Sequence, residues 1–301
     1  MQDNINILRH YKQFSLFTFP GCYKKQLTND LPSDIKEIGN LVRSAIIHRS
    51  TLESGNTGSN KDLKYGDMRK IPWWQQPQDD YLVTAGAMLT ELYRKDEKGF
   101  TTHKTEQQKL ILTCRFVAIL MASILKSKGF ACRVRSGFAP YFQEITHNDK
   151  SWDHWINQYW NEKEKRWVTI DVDGSWHNLP FDPYDMPHNG FDFSADAWLK
   201  VRNGKIDADH FYNAGGYKGL YPLAWALMYD FHCLMNNEII YLHGTDVAPL
   251  QHYGKKPIDP KMLKEVDELA KLMQNHDKNF GALRHIWETE RKFRLLKGAL
   301  L

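Results

Sequence analysis

The chain of 301 residues is 42% hydrophobic and 25% charged, a composition typical of a globular protein with a sizeable core. Its net charge of +4 is small, and basic residues are interspersed with acidic ones, so no nucleic-acid partner is predicted. No stretch reaches the roughly 18 apolar residues that span a bilayer, and the polar N-terminus lacks the features of a secretory signal. We therefore expect a cytoplasmic protein with no membrane partner.

The first hundred residues are predicted to hold two helices, at 33–49 and 79–95. Both segments have apolar residues at helical spacing, with acidic residues early and basic residues late. The segment 50–77 between them is rich in Gly, Asn, Ser and Pro, which predicts a long loop of the kind that is often functional. Its Trp73 and Trp74 are interpreted as core or as a pocket wall, with core favoured.

The centre of the chain predicts a helix followed by strands. An apolar helix is expected over 107–128, ending at Gly129, since glycine commonly caps helices. The stretch 132–138 alternates apolar and polar residues, as a half-buried strand does. The segments 154–160 and 166–172 flank a polar turn and predict a β-hairpin.

Beyond about residue 185 the pattern is helical again. Helices are predicted at 195–201, 222–235, 259–276 and 281–296. This order predicts an α+β fold in which a small antiparallel sheet packs on the central helix. We expect one domain over 1–301, with a helical N-terminal part (1–100), a catalytic core (101–185) and a helical C-terminal part (186–301).

The cysteines are at positions 22, 114, 132 and 233, without a CxxC pair or a dense framework. In a reducing compartment they are expected to be free thiols. Cys22 and Cys233 are interpreted as small buried hydrophobes, and Cys132 as a packing residue at the start of a strand. The sequence has neither paired metal-ligand spacing nor a glycine-rich phosphate loop after a strand, so no metal and no cofactor are predicted.

One cysteine meets the requirements of a nucleophile. A free thiol has a pKa of about 8.5, and a helix N-terminus and a nearby imidazole lower that pKa. The imidazole in turn needs a carboxylate to orient it. Cys114 lies toward the start of the apolar helix, while His154 and Asp171 lie on opposite arms of the predicted hairpin. These three residues are therefore the candidate catalytic group.

The predicted hairpin register supports this choice. If the turn is 161–164, His154 and Asp171 lie directly opposite each other, about 5 Å apart at Cβ. In that register Trp160 pairs with Lys165. Asp173 points to the same face and competes for the acid role, but it lies at the open end of the hairpin, so Asp171 is preferred.

The sequence around these residues resembles the transglutaminase-like superfamily. TCRFVAILMASILKSKGFACRVRSGF is similar to the family segment in which the nucleophile opens a helix, a glycine ends it, and a strand with Arg and Gly follows. His154-Trp155 and Trp167–Asp171 are similar to the family's His-Trp and Trp-x-x-x-Asp strands. The likeness covers about residues 110–175.

The resemblance implies a papain/transglutaminase-like core and a Cys-His-Asp triad of Cys114, His154 and Asp171. The implied reaction is acyl transfer from an amide through a Cys114 thioester, either to water, as in a protease or amidase, or to an amine. The implied partner is a peptide or protein substrate containing glutamine or another amide.

Two features depart from the family pattern. The family usually has glycine before its cysteine, where this chain has Thr113. Thr105-x-x-Gln108 resembles a capping box, which would begin the helix eight residues earlier and leave Cys114 within it. We favour a break near Thr113, with Thr113 as a possible N-cap. A non-catalytic interaction protein with this fold is the alternative, although intact Cys, His and Asp favour an enzyme.

The oxyanion donor stays open between several groups. The backbone N–H of Cys114 is the default donor at a helix N-terminus. The side chains of Gln107, Gln108, Trp73 and Trp74 are further candidates.

Overall fold

The computed structural model describes residues 2–49, 67, 70–142, 149–176, 178–241, 243–248, 258–294 and 296–298. Most of the loop predicted at 50–77 lies outside the described residues. The described chain is a mixture of helices and a curled antiparallel sheet, which agrees with the predicted α+β class. None of the helices within these ranges is long and apolar enough to cross a membrane.

The elements are numbered along the chain. The helices are α1 (Gln2–Lys12), α2 (Lys24–Asn29), α3 (Ile35–Ser44), α4 (Gln78–Tyr81), α5 (Ala85–Lys95), α6 (Cys114–Ser127), α7 (Ser194–Arg202), α8 (Leu220–Leu234), α9 (Pro260–Gln274), α10 (Phe280–Thr289) and α11 (Arg291–Arg294). The strands are β1 (Ile46–His48), β2 (Leu110–Leu112), β3 (Cys132–Ala139), β4 (Ser151–Asn161), β5 (Arg166–Ile170), β6 (Asp192–Phe193), β7 (Phe211–Tyr212), β8 (His243–Thr245) and β9 (Leu296–Gly298).

The main sheet has five strands in the order β5-β4-β3-β6, and β7 pairs with β4. The β4–β5 and β3–β6 pairs are antiparallel, whereas β7 runs parallel to β4. Two smaller sheets are each formed by two strands. In one, β1 and β2 are parallel; in the other, β8 and β9 are antiparallel.

The chain divides into two compact units. The first unit comprises Met1–His10, Arg133–Trp155 and Met186–Leu301. The second unit comprises Tyr11–Cys132 and Ile156–Asp185, and therefore contains α6 and β5.

Helix α6 is the core element of the second unit. All of its residues are buried, and it packs against α2, α3 and α5. It ends as predicted at Gly129, whose φ of +88° suits glycine. The Gly129 N–H donates to the Lys126 carbonyl (3.0 Å) and the Phe130 N–H donates to the Leu125 carbonyl (3.0 Å), which is the Schellman arrangement.

The start of α6 also agrees with the favoured break. Thr113 is extended (φ −110°, ψ 176°) and α6 begins at Cys114, although the Thr113 side chain makes no capping hydrogen bond. The Thr105–Gln108 capping box does form, but it caps the short 3₁₀ helix Glu106–Gln108. Strand β2 then separates this helix from α6. The predicted helix over 107–128 was therefore too long at its N-terminal end.

Five further expectations concern the rest of the second unit. The helix predicted at 33–49 is α3 followed by β1, and the helix predicted at 79–95 is interrupted between α4 and α5. The core interpretation of Trp73 and Trp74 was wrong, since they are 80% and 59% exposed. Cys22 is also exposed, whereas Cys132 is buried as expected.

Helix α8 is the core element of the first unit. It packs against α7 and α9, and its residues from Tyr221 to Leu234 are buried. The fully buried Asp230 on α8 accepts hydrogen bonds from Arg135 Nε (2.8 Å), Arg135 Nη2 (2.9 Å) and the Ser136 N–H (3.0 Å). The Ser194 hydroxyl donates to the same carboxylate (3.1 Å). This buried ion pair fixes β3 and α7 to α8.

Candidate active site around Cys114

Cys114 is the first residue of a 14-residue helix and is 9% exposed. The first N–H groups of an α-helix have no partner within the helix, and its dipole favours negative charge at this end. Both effects stabilise a thiolate relative to a thiol. The position is therefore the one expected of a nucleophile, and Thr113 in place of glycine does not prevent the helix from starting there.

A histidine on β1 lies beside this helix entrance. In the parallel register, His48 is paired with Leu112, two residues before Cys114. The Arg49 N–H donates to the Leu112 carbonyl (3.0 Å), which extends the pairing by one residue. The side chains of His48 and Cys114 are hydrogen-bonded.

The other partner of this imidazole is a buried carboxylate. His48 Nε2 lies 3.4 Å from Asp173 Oδ2. Arg43 Nε lies 3.9 Å from the other oxygen of the same carboxylate, and the Arg43 side chain is only 1% exposed. Arg43 Nη1 also donates to the Ile46 carbonyl (3.4 Å), so the guanidinium links Asp173 to the strand that carries His48. Cys114, His48, Asp173 and Arg43 thus form a continuous polar chain.

Burial has the largest single effect on the pKa of His48 and lowers it. The Asp173 carboxylate, the hydrogen bond with Cys114 and the charge of the thiolate all raise this pKa, while Arg43 lowers it. The sum of these effects raises the pKa of His48 above 6.5. The imidazolium is therefore stabilised next to the sulfur, which in turn favours the thiolate.

Helix α4 braces the two strands that bring His48 to Cys114. Arg49 Nη1 contacts Asp79 Oδ1 (2.5 Å) and Asp80 Oδ1 (2.9 Å) at the end of β1. The buried Gln78 accepts a hydrogen bond from the Ile111 N–H of β2 (2.9 Å). Since α4 holds both strands, the position of His48 does not depend on the short β1–β2 ladder alone.

The predicted acid, Asp171, lies in the turn that follows β5. It is fully buried, and its backbone N–H donates to the Pro183 carbonyl (2.8 Å). Its Oδ1 accepts a hydrogen bond from the Gly174 N–H (2.8 Å). A Cβ at position 174 would collide with the Asp171 carboxylate, so this carboxylate or the turn would have to shift. The competing acid, Asp173, lies 3.4 Å from His48.

The predicted hairpin forms, but the predicted register was wrong. Trp160 pairs with Trp167, not with Lys165. The same register would place Asp171 opposite Ile156, not His154. The predicted pairing of His154 with Asp171 is therefore wrong.

The reason for the shift is the role of Asn161. This residue stays in β4 and pairs with Arg166. Its side-chain oxygen accepts hydrogen bonds from the N–H groups of Lys163 (3.0 Å) and Glu164 (3.2 Å). An asparagine often closes a turn in this way. The turn consequently occupies 162–165, one residue later than predicted.

The predicted base, His154, lies on the part of β4 that belongs to the first unit, whereas Cys114 and Asp171 belong to the second. It is 2% exposed. Its ring makes edge contacts with Phe142 (centroids 4.8 Å apart) and Tyr141 (6.3 Å). The triad of Cys114, His154 and Asp171 stays a prediction.

The candidate oxyanion donors fare differently. Gln108 Oε1 accepts the Thr105 N–H (3.0 Å), so that side chain belongs to the capping box. The carbonyl of Gln107 accepts a hydrogen bond from Gln75 Nε2 (3.4 Å). Trp73 and Trp74 are mostly exposed. The N–H of Cys114 remains the donor that the helix position favours.

Sequence reasoning missed His48 because it assigned 33–49 to one helix. A signal was present in the β-branched pair Ile46-Ile47, which favours a strand after the end of α3. Recognising that strand alone would not have identified its partner β2.

Within the described ranges, no group of three or more His, Cys, Asp or Glu side chains is arranged to hold a metal ion. Comparison with known proteins finds no matching family model, no similar curated protein and no similar solved structure. The transglutaminase-like resemblance therefore rests on the motifs around Cys114, His154 and Asp171.

Proposed function

We propose that this chain is a thiol-dependent acyl hydrolase or acyltransferase that acts on amide or peptide bonds through a Cys114 thioester. The observation that carries the proposal is the position of Cys114 at the N-terminus of α6 with its side chain hydrogen-bonded to His48. A buried structural cysteine needs neither a helix N-terminus nor an imidazole partner.

The chemistry follows from these groups. The Cys114 thiolate adds to the carbonyl carbon of an amide, forming a C–S bond while the C=O π electrons move to oxygen. Collapse of this intermediate breaks the C–N bond, and the leaving amine takes a proton from an imidazolium. Water or a second amine then adds to the thioester and releases the acyl group, and the thiol is regenerated.

The remaining parts of the proposal come from the family resemblance. They are His154 as the base of the Cys114 thiol, Asp171 as its orienting acid, and a papain/transglutaminase-like core formed by α6 and the antiparallel sheet. A reducing, cytoplasmic environment suits an enzyme that depends on a free thiol. A glutamine-containing peptide or protein is the proposed substrate class.

The alternative is a non-catalytic interaction protein of the same fold. Thr113 in the place of the family's glycine is the observation that favours it. Such a protein would have no reason to keep an activated thiol, so the reactivity of Cys114 separates the two proposals.

The test is alkylation with iodoacetamide across a pH series, with the four cysteines resolved by peptide mass spectrometry. Cys22 is exposed and serves as an internal reference, whereas Cys132 and Cys233 are buried. Cys114 is expected to be labelled at a lower pH than Cys22 although Cys114 is less accessible. Trapping with glutamine-containing acyl donors should then give a mass adduct that the Cys114→Ala variant lacks. Labelling of Cys114 at no lower pH than Cys22, together with the absence of an acyl adduct, would favour the non-catalytic alternative.

A further inference from the structure

We propose that His48, oriented by Asp173, is a further catalytic residue of this site and holds the proton taken from Cys114, so that the resting enzyme contains a thiolate–imidazolium pair. This inference rests on the proposed thiol chemistry and assigns one step of it. The proton moves from Cys114 Sγ to a ring nitrogen of His48, and the S–H electron pair remains on sulfur. The family resemblance gives this step to His154, whereas the contacts of the described residues assign it to His48.

The first support is the way the chain is folded around the thiol. In the parallel pairing of β1 with β2, His48 lies opposite Leu112, which is two residues before Cys114 at the start of α6. The contacts of Arg49 with Asp79 and Asp80 fix the end of β1. A rigid imidazole that is already next to the sulfur can accept the proton without a conformational change.

The second support is the arrangement of the charged groups around His48. The ionisable groups that act on His48 are the Cys114 thiol, the Asp173 carboxylate and the Arg43 guanidinium. The carboxylate lies nearer to the imidazole (3.4 Å) than to the guanidinium (3.9 Å). Asp173 therefore stabilises a positive charge on His48, and this charge stabilises a negative charge on the sulfur.

The third support is access to solvent. The His48 side chain is 18% exposed, while those of Arg43 and Asp173 are 1% and 7% exposed. The imidazole is thus the part of this polar chain that is most open to solvent, and Arg43 and Asp173 are more deeply buried. This is the arrangement expected of a reactive group supported by a buried pair.

The experiment is the pH dependence of Cys114 alkylation in wild type, His48→Gln and Asp173→Asn. His103→Gln is the matched control, because His103 is exposed and lies in the same unit. We expect His48→Gln to raise the midpoint pH of Cys114 labelling by more than one unit and Asp173→Asn to raise it by less. His103→Gln should leave the midpoint unchanged. Free imidazole should partly restore low-pH labelling in His48→Ala, which a purely structural role would not allow.

A His48→Gln labelling profile that superimposes on that of the wild type would overturn the assignment to His48. In that case the proposed function would still hold, provided that wild-type Cys114 is labelled at low pH. If His48→Gln does not fold by circular dichroism, Asp173→Asn decides, and an unchanged midpoint in that variant overturns the assignment. If wild-type Cys114 is labelled at no lower pH than Cys22, the proposed function and this assignment are both overturned.

Discussion

His48 and Leu112 lie opposite each other in the parallel pairing of β1 with β2, so the His48 imidazole lies beside the N-terminus of α6, which begins at Cys114. Neither strand is longer than three residues. Their pairing therefore depends on the contacts around it, above all those of Arg49 and Gln78 with their partners. A small parallel ladder thus decides which group reaches the thiol.

The first prediction concerns the nucleophile. Cys114→Ala should abolish turnover of glutamine-containing or peptide donors, because it removes the attacking atom, while the circular dichroism spectrum stays that of the wild type. Cys132→Ala is the matched control, since Cys132 is also buried but starts a strand and contacts Asn157. Release of ammonia or amine is the measurement. Full activity in Cys114→Ala would show that the nucleophile is elsewhere.

The second prediction concerns the residues that the resemblance supplies. If His154 is the base of the Cys114 thiol, His154→Ala should lower kcat nearly as severely as Cys114→Ala, because without a base the thiol stays mostly protonated at neutral pH. Asp171→Asn should be milder, because it keeps the shape of the side chain but can leave the imidazole in the wrong tautomer. Both are measured as kcat and KM on the same donors. An unchanged kcat in His154→Ala would leave His48 as the histidine of the site.

The third prediction concerns the turn that holds Asp171. In Gly174→Ala the added methyl group collides with the Asp171 carboxylate, so the turn has to shift. Overpacking of this kind costs about 1–3 kcal/mol of unfolding free energy. Gly281→Ala is the control, because nothing lies within 4 Å of its added Cβ and alanine favours α10. Urea denaturation should show Gly174→Ala as the less stable variant, and equal midpoints would contradict the collision.

The fourth prediction concerns the buried ion pair of the first unit. Asp230→Asn leaves the buried Arg135 charge without its carboxylate, which costs about 3–5 kcal/mol of unfolding free energy. Glu288→Gln breaks the exposed i,i+4 contact with Arg284 (2.9 Å) and should cost less than about 1 kcal/mol. Chemical denaturation compares the two variants. Similar losses would show that burial does not decide the strength of these pairs.

The fifth prediction concerns acid stability. Burial lowers the pKa of His232 to about 4, while the hydrogen bond to the Phe293 carbonyl raises it by a smaller amount. The unfolded state therefore binds the proton at higher pH than the folded state, so stability falls as pH decreases from about 6.5 toward 4. The full loss from this residue is about 3 kcal/mol.

The measurement for acid stability is the unfolding free energy as a function of pH. His232→Gln should flatten the dependence between pH 4 and 6.5, although it also costs stability at neutral pH. His285→Gln, at an exposed position, should leave the slope unchanged. A residual slope is expected from His276, because burial, Arg133 and Arg135 lower its pKa. An unchanged slope in His232→Gln would contradict the assignment.

Local signals in the sequence were sufficient to predict those structural features that depend only on residues close together in the chain. Gly129 predicted the end of α6 because only a residue without a side chain enters the positive-φ conformation easily. The alternation over 132–138 predicted a half-buried strand; β3 does form there, but all of its residues are buried. The polar stretch around Asn161 predicted a hairpin, which also forms. The break at Thr113 was favoured from the thiol's need for a helix N-terminus, and α6 does begin at Cys114.

Other features depended on contacts between residues far apart in the chain. The capping box at Thr105 forms, but it caps a short 3₁₀ helix and not the helix that carries Cys114. The two helices are separate because residues 110–112 form a strand that pairs with β1. The hairpin register shifted because the Asn161 side chain closes the turn one residue later than the polar stretch suggests.

The sequence by itself determined the helix that presents Cys114 and the class of the fold, since helix ends and strand alternation are local properties of the chain. Only the tertiary structure decided that His48 and Asp173 are joined to that thiol. Pairing of parallel strands and contact between buried charges bring together residues whose separation in the sequence carries no periodic signal. Those contacts form because the buried carboxylate of Asp173 and the buried guanidinium of Arg43 are stable only when they are paired, and the imidazole of His48 lies against this carboxylate.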